Sequence, residues 1–164
     1  MRRVGAALAQ KAMDAHAADE ADVFGRSAFN RYYYATYLIT RKMLQQLNPS
    51  WSGTSHKNIP SLLTQTVVRH VRETSRSQER QGLIKDAGSL CRWVAQNANW
   101  LADMMKEAYE VRCIADYEPD TQIQRTGKVI KLADHSTHEA ENWPGRASLY
   151  AGAIVKTWRQ LGLA

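Results

Sequence analysis

Cysteine is scarce in this chain: only Cys91 and Cys113 occur among 164 residues. Two isolated cysteines make neither a disulfide framework nor a pair of metal-ligand spacing, and they fit a reducing compartment. Long apolar runs are absent too. No stretch approaches the roughly 20 apolar residues of a membrane span, and Gln10 and Lys11 interrupt the N-terminal apolar stretch before a signal-peptide core can form. His135 and His138 stand close together, but with no cysteine or third histidine nearby they do not compose a zinc site, and no metal or other cofactor is expected. There is no internal repeat and no low-complexity tract. The expectation is a cytoplasmic protein stabilised by an ordinary hydrophobic core.

What is present supports such a core. A hydrophobic fraction of 44% is that of a globular chain, and the length suits a single domain over 1–164. Lys and Arg outnumber Asp and Glu by 22 to 16, a net charge of +6 that favours a polyanionic partner.

The hydrophobic period is helical almost throughout. Val4, Leu8, Ala12 and Ala15 mark a first helix over 3–20. A second runs from about Gly25 to Leu47, with Phe29, Tyr33, Thr36, Met43 and Leu47 on one face, and Asn48-Pro49 stops it. Ser55 is placed to cap a third helix starting near 57, where Pro60 is tolerated and Leu62, Leu63, Thr66, Val67 and Val71 face inward. The longest periodic segment runs from Gln78 to about Ala115, with Leu83, Ala87, Leu90, Val94, Leu101, Met105 and Ala108 on one stripe. Residues 121–132 lose this period, and the β-rich runs on either side of Thr126-Gly127 predict a short hairpin outside the helices. Ser136 and Glu139 match a capping box that restarts helix. Leu149, Ala153, Val155, Trp158 and Leu161 supply its apolar positions, and Pro144-Gly145 is expected to break or kink it.

Three short stretches stand out in order: SAFNRYYYATYL at 27–38, SHKNIPSLL at 55–63 and RCIADY at 112–117. A Tyr-Tyr-Ala helix, a Ser/Thr-His helix start and an Arg-x-x-Ala-Asp-Tyr helix end, in that order, resemble the HEPN domain (higher eukaryotes and prokaryotes nucleotide-binding). The resemblance runs from about residue 20 onward. It implies an all-α, up-and-down bundle of four to six helices and a homodimer that engages RNA, a nucleotide or a nucleotidyltransferase partner. The implied setting is a toxin-antitoxin or phage-defence system. Active members are metal-independent ribonucleases with an Arg followed, after four to six residues, by a His. Here Tyr117 follows Arg112 at that spacing, and no arginine of this chain is followed so by a histidine. Tyrosine ordinarily titrates near about 10 and is a poor base at neutral pH, where histidine near about 6.5 is well matched.

Arg112 extends the stripe of Leu101, Met105 and Ala108, and a guanidinium on an inward face needs a partner or a function. One reading is an i,i+4 ion pair with Asp116 at a helix end that favours a cation. The other is a phosphate ligand whose planar fork matches the anion. His56 reads as a cap or packing residue, or as part of the family's site. Three consecutive tyrosines span about 200° of a helix, so Tyr33 and Tyr37 are core candidates while Arg31 and Tyr34 are freer to face a groove or a partner. Arg69, Arg72, Arg76 and Arg80, at offsets of three, four and four, would form one row able to track a phosphate backbone. Glu73 and Glu79 among them also permit a solvated, ion-paired face. Arg125, Lys128 and Lys131 place a second basic patch on the hairpin. Three functions follow: a non-catalytic binding module, a metal-independent endoribonuclease with an altered Arg-x4-Tyr motif, and a structural subunit of a larger complex.

Overall fold

The computed structural model describes residues 1–84 and 86–163. Helices α1 (Arg2–Asp14) and α2 (Ala18–Leu47) open the chain. The 3-10 turns Pro49–Gly53 and His56–Asn58 lead into α3 (Ile59–Ser61), a π-helical stretch Leu62–Val67 and α4 (Val68–Arg80). Then come α5 (Ala87–Tyr117), strands β1 (Ile123–Thr126), β2 (Val129–Leu132) and β3 (His135–Ser136), and α6 (Thr137–Gln160). The fold is mostly α, with a small antiparallel sheet in the order β1-β2-β3. Two compact units divide the chain: Met1–Leu38 with Glu107–Gly145, and Ile39–Lys106 with the residues from Arg146 on. Among the described residues no helix is long and apolar enough to cross a membrane.

In the first unit α1 turns small residues, Gly5 and Ala12, inward. It stops at Asp14 rather than running to 20, because Ala15 turns extended and its carbonyl accepts a bond from Arg125 Nη1 at 2.7 Å. Val4 is exposed instead of inward, since Gly5 and Ala12 occupy the buried face of this helix. Helix α2 begins at Ala18, well before Gly25, since Asp19 and Glu20 suit the positive end of a helix and Ala21 is buried. Phe29, Tyr32 and Tyr33 are all fully buried, each contributing about 1.5–3 kcal/mol by leaving water. Burial pushes the Tyr32 phenol up to about 12, with the Glu141 charge adding to the effect. The hairpin closes through Gly127-Lys128, pairing Thr126 with Val129 inside the expected segment, and Ile130 and Leu132 anchor it in this unit's core. A third strand, β3, pairs Leu132 with His135 and was not foreseen.

In the second unit Met43, Leu44 and Leu47 are buried, and α2 ends where Asn48-Pro49 was expected to stop it. Asn48 Oδ1 accepts the Ser50 amide at 3.0 Å. Ser55 makes no side-chain cap; a 3-10 turn intervenes, and helix starts at Ile59. Leu63, Val67 and Val71 are buried, while Leu62 and Thr66 are half-exposed across the wider π turn. The single helix expected over 78–115 is two. Gly82 has φ +67, the amides of Gly82 and Leu83 bond back to Glu79 and Gln78 at 3.1 and 3.0 Å, and this left-handed closure ends α4. Leu83 is therefore 68% exposed and off the stripe. Lys85, in the expected helix, lies outside the described residues. Ala87, Val94, Leu101 and Met105 keep the predicted inward face of α5.

Helix α6 continues through Pro144 without the expected break. Ala140, Trp143 and Ala147 around the proline are all buried, and that packing offsets the missing N–H. Ala147, Ala151, Ile154, Trp158 and Leu161 set the inward phase at steps of three and four. Leu149 falls on the opposite face and is 69% exposed, contrary to its predicted inward position.

The capping box at the start of α6 is formed as its residues predict. The Ser136 amide donates to Glu139 Oε2 at 3.0 Å and the Glu139 amide to Ser136 Oγ at 3.2 Å. The Ser136 hydroxyl and then its amide hold the Glu139 carboxyl below its ordinary pKa. A depressed carboxyl stabilises the fold above its unfolded pKa, near about 4.3, and the contribution fades as pH falls through the folded value. Ser136→Ala should therefore cost about 1 kcal/mol near neutrality in urea unfolding. The same change should raise the Glu139 titration midpoint seen by NMR, and the stability gap from wild type should narrow in acid.

Candidate functional site

Five backbone carbonyls where α5 ends converge on one side chain. The last carbonyls of a helix lack partners along the helix; Arg26, on α2, donates to two in the last turn of α5 and to three just beyond it, adding to the backbone bonds that the Ile114 and Glu118 carbonyls already accept from the Glu118 and Thr121 amides at 3.1 Å. Its Nη1 donates to the carbonyls of Ile114 and Ala115, both at 3.1 Å. Its Nη2 reaches those of Glu118 at 3.1 Å, Pro119 at 3.3 Å and Thr121 at 2.5 Å. Its Nε meets Asp22 Oδ2 at 2.6 Å, and Asp22 Oδ1 accepts the Ile123 amide at 2.9 Å. One i,i+4 pair on α2 thus fixes both the end of α5 and the start of β1. Gly25 allows the approach, because a Cβ there would stand 2.8 Å from Ile123 Cγ1. Sequence reasoning missed all three residues. The available signal was Asp22 and Arg26 at i,i+4, together with a long helix ending at Pro119 whose carbonyls needed donors.

The clamp presents the last turn of α5. Arg112 Nη2 meets Asp116 Oδ2 at 2.7 Å, the predicted i,i+4 pair, and the Tyr117 hydroxyl at 3.3 Å. Its guanidinium also lies over the Tyr117 ring, 5.1 Å from the centroid, a cation–π arrangement. Asp116 Oδ1 accepts from Asn30 Nδ2 at 2.6 Å, which ties α2 to the same turn. Among the described residues, two buried atoms of this network meet no hydrogen-bond partner: Arg112 Nε, a donor, and Asn30 Oδ1, an acceptor. Burial works against the Arg112 charge, but the Tyr117 hydroxyl and Asp116 outweigh it and hold the group cationic. Behind the cluster Tyr33 packs against Tyr34, Tyr37 and Tyr109 at 5.4, 6.3 and 6.1 Å between ring centroids. Burial raises the Tyr33 phenol, and the Cys113 thiol one turn on raises that of Tyr109. Tyr117, by contrast, is 68% exposed.

The structure thus brings Arg112, Asp116 and Tyr117 together and adds Asn30, which sequence reasoning did not single out. Tyr34 is half-buried beside Tyr33, and Arg31 is exposed on the same helix. His56, half-buried in its 3-10 turn, and the arginines Arg69, Arg72, Arg76 and Arg80 belong to the second unit. Those four arginines are all exposed on α4, and among the described residues none forms an ion pair. Of the hairpin cations, Arg125 is occupied by the Ala15 carbonyl. Among the described residues no three His, Cys, Asp or Glu side chains gather where a metal could be held. The chain matches no family model, no curated protein and no solved structure.

The clamp yields a direct test. Hydrogen bonds from a charged donor contribute about 1.5–3 kcal/mol each and do not add fully. Arg26→Ala should lower unfolding stability by about 3 kcal/mol, and Arg26→Lys, which keeps charge without the fork, should recover less than half of that. An unchanged urea midpoint in Arg26→Ala would show that the clamp contributes nothing.

Proposed function

We propose that this chain is a HEPN-like homodimeric protein that binds single-stranded RNA, or a nucleotide segment of it, at the end of α5 without cleaving it. The observation that carries the reading is the exposed Tyr117 ring set against the Arg112 guanidinium. An open aromatic face beside a fixed cation is the pairing that holds a base by stacking and its phosphate by charge. The net charge of +6 supports a polyanionic ligand.

Catalysis is disfavoured by the same geometry. Arg112 is already paired with Asp116, and the group beside it at the family's histidine position is a phenol hydrogen-bonded to the cation. Neither arrangement supplies a base matched to neutral pH. Exposed Trp93 and Trp100, 49% and 42% open, favour self-association, although Trp100 already packs on Tyr150 at 5.6 Å. A role in a toxin-antitoxin or phage-defence system, with a nucleotidyltransferase or a defence complex as partner, rests on the resemblance alone.

The test uses a short labelled single-stranded RNA and fluorescence anisotropy. Tyr117 is exposed, so Tyr117→Ala should leave stability within about 0.5 kcal/mol. Its affinity should fall by about 1–3 kcal/mol, the loss of one stacked base. Arg112→Lys should weaken binding less than Arg112→Ala and keep the salt dependence. Undiminished affinity in Tyr117→Ala would overturn the binding site. Robust RNA cleavage in EDTA that disappears in Arg112→Ala would overturn the non-catalytic reading in favour of the endoribonuclease.

A further inference from the structure

The second unit carries an open groove of about 680 Å³ that the proposed RNA site does not use. Ile39 and Met43 on α2, with Ala151 and Val155 on α6, make an apolar floor. Lys42, Lys156 and Arg159 stand at its edges, all exposed, and no Asp or Glu is among the residues that line it. Gly152 lies in the middle of α6 facing this groove, and a Cβ built there would meet nothing within 4 Å. A mid-helix glycine is costly relative to alanine, and here it leaves room at the floor.

We propose that this groove docks an acidic amphipathic helix of a partner protein. The α6 side runs from Ser148 to Gln160, about 18 Å at about 1.5 Å per residue. That length accommodates a helix inserting apolar anchors at i, i+3 or i+4, and i+7. The floor receives those anchors, and carboxylates flanking them on the incoming helix meet the three cations. Charge decides among occupants. A second copy of this chain, at +6, would bring like charge to a cationic groove. RNA would satisfy the cations but leave the apolar floor unmatched.

The probe is a labelled synthetic helix carrying Leu at i, i+3, i+7 and i+10 and Glu at the positions flanking them. Two controls accompany it: the same composition scrambled to destroy the stripe, and a version with Lys in place of Glu. Binding to the full chain is followed by anisotropy. The acidic amphipathic peptide should bind saturably, and both controls should bind at least tenfold more weakly. Gly152→Leu, which fills the open space, should reduce binding at least tenfold with the thermal midpoint unchanged or raised. The double change Lys42→Glu with Lys156→Glu should do the same and reverse the preference between acidic and basic peptides. RNA affinity, read separately, should be unaffected by Gly152→Leu, so loss of one activity is distinguishable from loss of the other. The proposal is overturned by failure of the acidic peptide to bind saturably, by equal binding of the scrambled peptide, or by full binding to Gly152→Leu. It is also overturned by displacement of the peptide by RNA at the groove, or by a dimer in sedimentation that Gly152→Leu dissolves.

Discussion

The last turn of α5 owes its position to one arginine borrowed from another helix. A long helix leaves four carbonyls unsatisfied at its end, and here the chain must also turn through Glu118-Pro119 into a strand. Arg26 gathers five carbonyls from Ile114 to Thr121, while Asp22 binds both Arg26 and the first amide of β1. The fork of a guanidinium is the side-chain geometry suited to this, because it points several donors in fixed directions and keeps its charge. With that end fixed, Arg112, Asp116 and Tyr117 project at defined angles. Without it the turn that carries them would fray.

The cluster so placed is not a saturated scaffold. Arg112 has an ion-pair partner and an aromatic neighbour, as a structural arginine would, yet among the described residues its buried Nε meets no acceptor and the buried Asn30 Oδ1 no donor. Buried unpaired polar atoms are rare enough to need a reason. Two of opposite type in one network suit a site whose hydrogen bonding is completed by rearrangement when a ligand arrives. Tyr117, beside them, is open to solvent.

Local chemistry was legible in the sequence where the determinant lies within a few residues. Asn48-Pro49, the Ser136 and Glu139 box, the hairpin about Thr126-Gly127 and the Arg112 to Asp116 pair all act over four residues or fewer, and each formed where its spacing placed it. Determinants separated along the chain were not legible. Arg26 meets carbonyls some 88 to 95 positions away, and the i,i+4 spacing of Asp22 and Arg26 does not by itself say which distant helix end they serve. Gly82 was read through because the apolar period appeared to resume at Leu83, whereas its backbone conformation ended the helix. At Pro144 the local rule for proline was overridden by the burial of Ala140, Trp143 and Ala147. Leu149 was misassigned for a related reason: the phase of α6 is set by Trp143 and Ile154, which hydrophobicity alone did not rank above it. Asn30 was missed because a lone polar residue on a helix carries no signal until its partner, Asp116, is known.

The central claim is that the arginine-clamped end of α5 is where a polynucleotide sits. The most direct measurement is an NMR titration of the full chain with single-stranded RNA, following arginine side-chain Nε–H and tyrosine ring resonances. The account predicts saturable shifts at Arg112 Nε–H and the Tyr117 ring, with Arg26 Nε–H unmoved because its bonds are already complete. Shifts confined to Arg69, Arg72, Arg76 and Arg80 on α4, or no shift at Arg112 and Tyr117 at saturation, would contradict it.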